Sequence, residues 1–420
     1  MLDGYALEVT LTAANSAAQA WYGYEQGVVS GMIISQDFIK VFPETMDPDV
    51  QGITLGNLLG CLLAATFGDR LGRKNTLRNG GVISAIGAIL QFTAYSFPQL
   101  IVGRVVNGVG NGILSSTCGI FQAESCASDR RGKLSVIVVL HNVVFYCIAT
   151  WLTLACSFTD GGWQWRLPLA VQQFGGINAL NYFFTIILTQ NVGLNELLAR
   201  ILTGCNATSY MISSACAFWI IDRFGRRSLM LTGLSLQSLA YVMVAIALGM
   251  QSTAPFEWGI VAVSFLFFYY AAFGCTWGMV PWVYQSEVNS LAMRTVGAAA
   301  ATSTNWLFGF VCTQFTPTGI ANIGYRFYII FAIFNLAFIF VVYFLYPETA
   351  NRTLEDLDAY FDRDAGHPTI IPIGDKTSKS TKRPQEAIDA EASRIELAAT
   401  MGTKAKVVSV EHAEDVHQVA

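Results

Sequence analysis

Two short motifs recur in this chain, and each sets charges of opposite sign at fixed spacing. "GDRLGRK" (68–74) and "IDRFGRR" (221–227) share the pattern D-R-x-G-R-[KR]. "AESCASDRRG" (123–132) and "SEVNSLAMRTVG" (286–297) share a Glu followed seven residues later by an Arg. The motifs keep the same order in both halves, which is a signature of internal duplication. Their chemistry is ion pairing. Asp69, Arg73, Glu124 and Arg131 supply it in the first copy, and Asp222, Arg226, Glu287 and Arg294 in the second. Such pairs at the ends of neighbouring helices can close and separate again, so a network of them would bias one conformation of a moving bundle. A Gly in each tight turn lets two helix ends approach closely. The preference for basic cytoplasmic loops explains the Arg residues. It does not explain the acids at matching positions. No nucleophile–base constellation, metal-ligand spacing or phosphate-binding loop is found. Enzymatic chemistry, a metal, a cofactor and a nucleic-acid partner are therefore not expected.

The elements that must position these charges lie in a chain of 420 residues that is 53% hydrophobic and 13% charged. A soluble domain carries about 25% charged residues, so the deficit predicts an all-α integral membrane protein. The formal net charge of −4 adds little, because location outweighs sum in a membrane protein. Apolar segments long enough to cross a bilayer fall near 8–34, 51–68, 77–97, 101–124, 134–158, 195–221, 228–250, 257–284, 295–316 and 324–346, with one further run at 164–191. That makes about eleven spans, since each needs roughly 20 residues. Segment 8–34 contains Asn15, Ser16, Gln19, Tyr22, Tyr24, Glu25 and Gln26, so it is expected to line a cavity. The nine cysteines sit mostly in apolar runs without C-x-x-C spacing and read as packing residues. No basic region precedes the first apolar run, so no cleavable signal is expected.

Basic segments 69–78, 129–133 and 222–227 are expected on the cytoplasmic side, and the acidic segment 35–50 outside. Both termini are then cytoplasmic. From about Asp362 the chain is polar and nearly free of aromatic residues. It is expected to be a disordered tail, with a transient amphipathic helix at 386–401 as the alternative.

Further segments complete a pattern: "GYEQGVVSG" (23–31), "VGRVVNGVGNG" (102–112), "WRLPLAVQ" (165–172), "QQFGGINALNY" (172–182), "WGMVPWVYQSE" (277–287), "NW" (305–306) and "PETANRTLEDLD" (347–358). With the charged motifs, and in this order, the chain resembles the sugar porters of the major facilitator superfamily, in particular the fungal-type hexose transporters. The resemblance implies two six-helix bundles rocking around a central sugar site. It implies a multi-pass protein of the plasma membrane, acting as a monomer in lipid on a sugar and H+. Carried over by motif, Gln172, Gln173 and Asn178 are implied sugar-hydroxyl ligands, Trp277 the ring that stacks on the sugar, and Asn305 a further polar contact. Glu25 stands where proton-coupled relatives have Asp, with Arg104 as its implied electrostatic partner.

Residue chemistry agrees in kind. A sugar presents hydroxyls and apolar C–H faces, which suit amides and aromatic rings. The alternative for the Gly/Asn/Gln group is interhelical packing and hydrogen bonding. Desolvation raises the pKa of a carboxylate such as Glu25, and a nearby Arg lowers it. A group balanced between them can take and release a proton. A permanent Glu25–Arg104 pair is the alternative.

One departure concerns the middle of the chain. "WRLPLAVQQFGGINALNY" (165–182) joins the end of one motif directly to the start of another at Gln172. Most of a sixth span and the family's central cytoplasmic loop are missing. The expected divisions are a bundle at 1–158, a remnant at 159–171, a second bundle at 172–348 and a tail at 349–420. A single crossing by 164–191 would place "DRFGRR" outside, against the charge rule. The join predicts weak or absent transport by this exact chain. A non-transporting sugar sensor and a non-functional remnant remain as alternatives.

Overall fold

The computed structural model describes residues 11–13, 15–16, 19–20, 36–43, 55–126, 131–158, 196–251, 253–289 and 294–352, with isolated positions beyond (357, 382, 385, 388, 389 and 393). Among the described residues the elements are a short helix α1 (Gln36–Val41) and ten further helices: α2 (Leu55–Leu71), α3 (Arg73–Phe92), α4 (Phe97–Ser125), α5 (Arg131–Cys156), α6 (Glu196–Phe224), α7 (Arg226–Gly249), α8 (Pro255–Cys275), α9 (Val280–Val288), α10 (Arg294–Ile323) and α11 (Arg326–Leu345). Helices thus occupy the apolar segments expected from 51–68 through 134–158 and from 195–221 through 324–346. The run 164–191 and most of 8–34 lie outside the described residues. Among the described residues, four helical stretches are long and apolar enough to cross a membrane by length and composition: Arg131–Cys156, Arg226–Gly249, Pro255–Val288 and Arg326–Leu345.

Local sequence explains the breaks. Ser96, extended at φ −132° and ψ 150°, precedes α4, and a proline lies in that helix's first turn. Pro255 opens α8. A proline there costs no helical hydrogen bond, because the first-turn N–H groups have no partner in the helix. The α2–α3 break is Gly72 at φ 76°, and the α6–α7 break is Gly225 at φ 83°. These are the glycines of the two D-R-x-G-R repeats. The duplicated motif folds into the same turn, with positive φ and extended ψ, twice.

In the first half α4 packs against α2 and α3. A Cβ on Gly60 would collide with the carbonyl of Val109, and one on Gly112 with that of Asn57. The α2 and α4 backbones are therefore in direct contact. Lipid supplies no hydrophobic drive between helices, so this close approach is what small residues contribute. A buried polar ladder adds to it. The Ser84 hydroxyl lies 2.6 Å from Asn107 Oδ1 and 3.1 Å from Asn111 Oδ1.

In the second half α7 packs on α8 and α11, and α8 packs on α6. The halves meet along two seams, α5 on α6 and α2 on α10. Val136 and Val143 of α5 share one core with Ala217 and Ile221 of α6 and with Met279, Val280 and Val283. Helices α5 and α6 run antiparallel. Gly132 at the start of α5 faces Asp222 near the end of α6, and Trp151 near the end of α5 covers Gly204. The chain therefore leaves α5 and enters α6 at the same end of the bundle. Both charged repeats lie at the other end.

Candidate functional site

The charged end is built from the two glycine turns. Each turn starts a helix with an Arg, and each Arg reaches a Glu at the end of another helix. Arg73 Nε and Nη2 both donate to the Glu124 carboxylate at 3.2 Å. Arg226 Nε and Nη2 donate to Glu287 at 3.2 and 3.0 Å. The two repeats thus make the same bidentate pair, the geometry that best matches a guanidinium to a carboxylate. They differ in burial. The Arg73 and Glu124 side chains are 20% and 25% exposed, whereas those of Arg226 and Glu287 are both 4% exposed.

The buried pair carries more partners. Arg226 Nη1 donates to Asp222 Oδ1 at 2.9 Å, and the Thr349 hydroxyl donates to Glu287 Oε2 at 2.7 Å. Glu348, fully buried, accepts the backbone N–H groups of Arg226 and Arg227 at 2.8 and 3.1 Å. It thereby caps the N-terminus of α7, where unpaired donors and the helix dipole favour an anion. Burial pushes the Glu348 carboxyl above the usual carboxylate range, opposed by N–H bonds from Ala350, Arg226 and Arg227 and by the Arg226 charge. Arg227 holds the end of α11 by donating to the Tyr343 carbonyl and lying over the Tyr343 ring. Glu348 and Thr349 fall within the "PETANRTLEDLD" motif, where the one signal for a cap is an acid directly following the final apolar helix.

The network also bridges the halves. Gly132, at the start of α5, abuts the Asp222 carboxylate and the Arg226 guanidinium so closely that a Cβ would collide with both. Arg131 beside it is buried. Gly68 of α2 faces Thr295 of α10. This end is closed. Arg294 starts α10 and Asp69 lies in the last turn of α2, but the side chains of both are outside the described residues.

The expected ligand positions divide. Gln172, Gln173, Asn178 and Glu25 lie outside the described residues. Arg104 is buried within α4 at 5% exposure. Trp277 sits half-buried where the helix breaks between α8 and α9, packed on the core shared by the two halves. Asn305 is exposed on α10, while Trp306 turns inward. A cavity of about 570 Å³ opens between α5, α6 and α8, lined by Trp151, Cys205, Thr208, Ile212, Cys216 and Cys275 among others. That volume suits a small molecule. The described part of segment 8–34 packs against α4. Asn15 donates to Gln122 at 2.7 Å, and Gln122 donates to the Thr12 hydroxyl at 2.8 Å. Gln122, Gln19 and Ser135 also face Trp282 across a second, tighter cavity. The α5 side thus presents Ser135 and Val138, with Gln122 supplying an amide from α4.

The family model described as "Sugar (and other) transporter" matches residues 9–172 and 169–361. The chain belongs to this sugar transporter family. The two matches overlap at 169–172, the join read from the sequence. An MFS-type transporter, oryC, of Aspergillus oryzae is 33% identical, with 98% of this chain and 96% of the relative aligned. That alignment is 519 positions long, more than the 420 residues of the chain, so the relative carries intervening sequence that this chain lacks. The sugar transporter STL1 of Saccharomyces cerevisiae is 27% identical over 86% of this chain and 82% of its own length. Among solved structures, a double-Trp mutant of XylE superimposes with a TM-score of 0.67 at 20% identity, covering 84% of this chain and 99% of that one. The xylose transporter XylE from E. coli in an inward-open conformation gives 0.62 at 21% identity, covering 84% and 100%. The fold is that of the major facilitator superfamily, all-helical and membrane-embedded. This is a family of transporters and not of enzymes.

Proposed function

We propose that this protein is a sugar carrier working by alternating access, and that the structure captures the state closed at the charged end. The closed end carries the reading. One bidentate Arg–Glu pair recurs in both halves, and Gly132 of one half is wedged against the buried pair of the other. Separating the halves at this end exposes Arg226, Glu287 and Glu348, which breaks a set of contacts together. Such a set gives two discrete states rather than a continuum.

The substrate reading rests on Gln172, Gln173, Asn178, Trp277 and Asn305 as amide and aromatic groups for hydroxyls and a ring face. Glu25 with Arg104 is the proposed proton-coupling pair. The charged end is proposed to face the cytoplasm of a plasma-membrane protein with both termini inside. Relatives include a high-affinity glucose transporter of Kluyveromyces lactis, 25% identical over 80% of this chain and 82% of its own length. A proton:xylose symporter has the same fold. The first supports a hexose-like substrate and the second proton symport.

The join at Gln172 sets the expected activity. Uptake of radiolabelled D-glucose in a transport-deficient host tests both claims. Weak uptake that rises when a relative's intervening sequence is inserted at Gln172 is the expected result. Robust uptake by the chain as written overturns the claim about the join. No uptake and no binding with or without the insertion overturns the sugar carrier.

A further inference from the structure

We propose that Tyr210 is the positioning residue for Trp277, fixing the shape of the helix break on which that ring stands. The role of Trp277 rests on the carrier reading above; the mechanical part of the proposal does not.

The break is a local event with identifiable causes. Helix α8 ends at Cys275 and α9 begins at Val280, with Thr276 at φ −127° and ψ −88° between them. Gly278 N–H donates at 2.7 Å to the Phe273 carbonyl, five residues back. That wide turn replaces the ordinary helical bond and swings Trp277 out of register. Pro281 in the first turn of α9 removes a donor from the restarted helix.

Tyr210 lies against both sides of this break. A Cβ built on Gly274 would stand 3.0 Å from its ring edge, and one on Gly278 would stand 3.2 Å from its hydroxyl. The two glycines are one turn apart, so a single phenol spans the segment that carries Trp277. The ring also packs on Phe273 and Tyr270 of α8, each with centroids 6.0 Å away. Just beyond, the Cys275 thiol donates to the Ser213 carbonyl of α6 at 3.2 Å. Helix α6 therefore grips the end of α8 at Tyr210 and one turn later.

The other edge of Tyr210 meets the opposite half. Tyr146 of α5 makes an edge-to-face contact with it at 6.4 Å. Edge-to-face pairs hold a relative angle as well as a distance. Tyr210 therefore touches the break on one side and the seam between the halves on the other. Movement along the α5–α6 seam reaches Trp277 through this ring.

The test compares Tyr210→Leu, Tyr210→Phe and Tyr241→Leu in the full chain. Tyr241 belongs to the same aromatic cluster, through Tyr269 and Phe331, and serves as the packing control. Subtracting the emission of each variant's Trp277→Phe partner isolates one of the nine tryptophans. Without any sugar, Tyr210→Leu is expected to shift Trp277 emission and its quenching by acrylamide. Tyr210→Phe, which keeps the ring, is expected to restore most of both, and Tyr241→Leu to move neither. In D-glucose uptake by the chain carrying the inserted sequence, Tyr210→Leu is expected to raise KM about tenfold with the maximal rate largely kept, a change in binding rather than turnover. Native Trp277 emission in Tyr210→Leu overturns the proposal, as does an equal shift in Tyr241→Leu. If Tyr210→Leu fails to fold, emission and KM in Tyr210→Phe decide it, because loss of the hydroxyl facing Gly278 must then move both slightly. Absence of glucose uptake in every version sinks the carrier reading and leaves the emission result standing.

Discussion

Glu348 caps α7 from a point 122 residues away in sequence, its carboxylate accepting the N–H groups of Arg226 and Arg227. The chain after α11 thereby closes the second half on itself. Glu348→Ala leaves two helix-end donors buried without an acceptor. The expected loss is about 1–3 kcal/mol, read as a lower unfolding temperature of the purified protein in detergent. An unchanged transition would mean that water replaces the carboxylate at no cost.

The two bidentate pairs are expected to respond unequally. Glu124→Gln disturbs a pair that water already reaches, so the expected change is within about 1 kcal/mol. Glu287→Gln removes one of the two carboxylates paired with Arg226, at 4% exposure, and leaves Asp222 at 2.9 Å as the remaining ion-pair partner. A loss of about 1.5–3 kcal/mol is expected there, from two buried charge-assisted hydrogen bonds weakened. Equal losses in urea or thermal unfolding would show that burial does not distinguish them.

Gly72 and Gly225 share a backbone conformation but not surroundings. A methyl group at Gly72 meets open space, so Gly72→Ala carries only the backbone cost of a positive φ with extended ψ, about 1–3 kcal/mol. At Gly225 the methyl also strikes the Glu348 carboxylate. Gly225→Ala is therefore expected to lose more stability than Gly72→Ala, and replacing Glu348 by Ala in the same chain should shrink the gap.

Acid is expected to favour the closed clamp. Burial raises the Glu348 pKa above its ordinary 4.5, and opening would hydrate the carboxyl and return it towards that value. The closed state then binds the proton more tightly. Its advantage is fully present below 4.5 and declines as pH rises through the raised value. Hydrogen exchange at the Arg226 and Arg227 amides, corrected for intrinsic rates, should slow on acidification through that window. Faster exchange there would reverse the sign.

A covalent lock tests the movement itself. The Cβ position of Gly68 lies 3.6 Å from Thr295 Cγ2, across the seam between the halves. Cysteines at both positions fall within disulfide reach. In the chain carrying the inserted sequence at Gln172, oxidation should abolish uptake and reduction restore it. Continued uptake by the cross-linked protein would show that the halves need not part at this seam.

The charged end was legible in sequence because ion pairs leave types and spacings behind. The paired motifs named Arg73, Glu124, Asp222, Arg226 and Glu287, and these meet in the structure. The partner choice was not legible: each Glu bonds the Arg of the glycine turn, not one fixed by its own motif's spacing. Glu348 escaped because a capping acid is defined by its position against a helix end, which no local pattern records. Tyr210 escaped for a related reason. A tyrosine inside an apolar helix reads as core, and only the opposed Gly274 and Gly278 give it a direction. In the tail, Ile388, Asp389 and Ser393 are helical, on the 386–401 segment given a helix as its alternative.

The antiparallel pairing of α5 with α6 has a consequence for how the chain is threaded through the bilayer. Each crossing reverses the direction of travel, so crossings between two fixed points have a parity. Cys156 and Glu196 emerge on one face, and an odd parity between them would turn the second half upside down. Any rearrangement at Gln172 is thus filtered by evenness before it is filtered by length. A cut that removes sequence but respects evenness leaves "DRLGRK" and "DRFGRR" facing the same compartment.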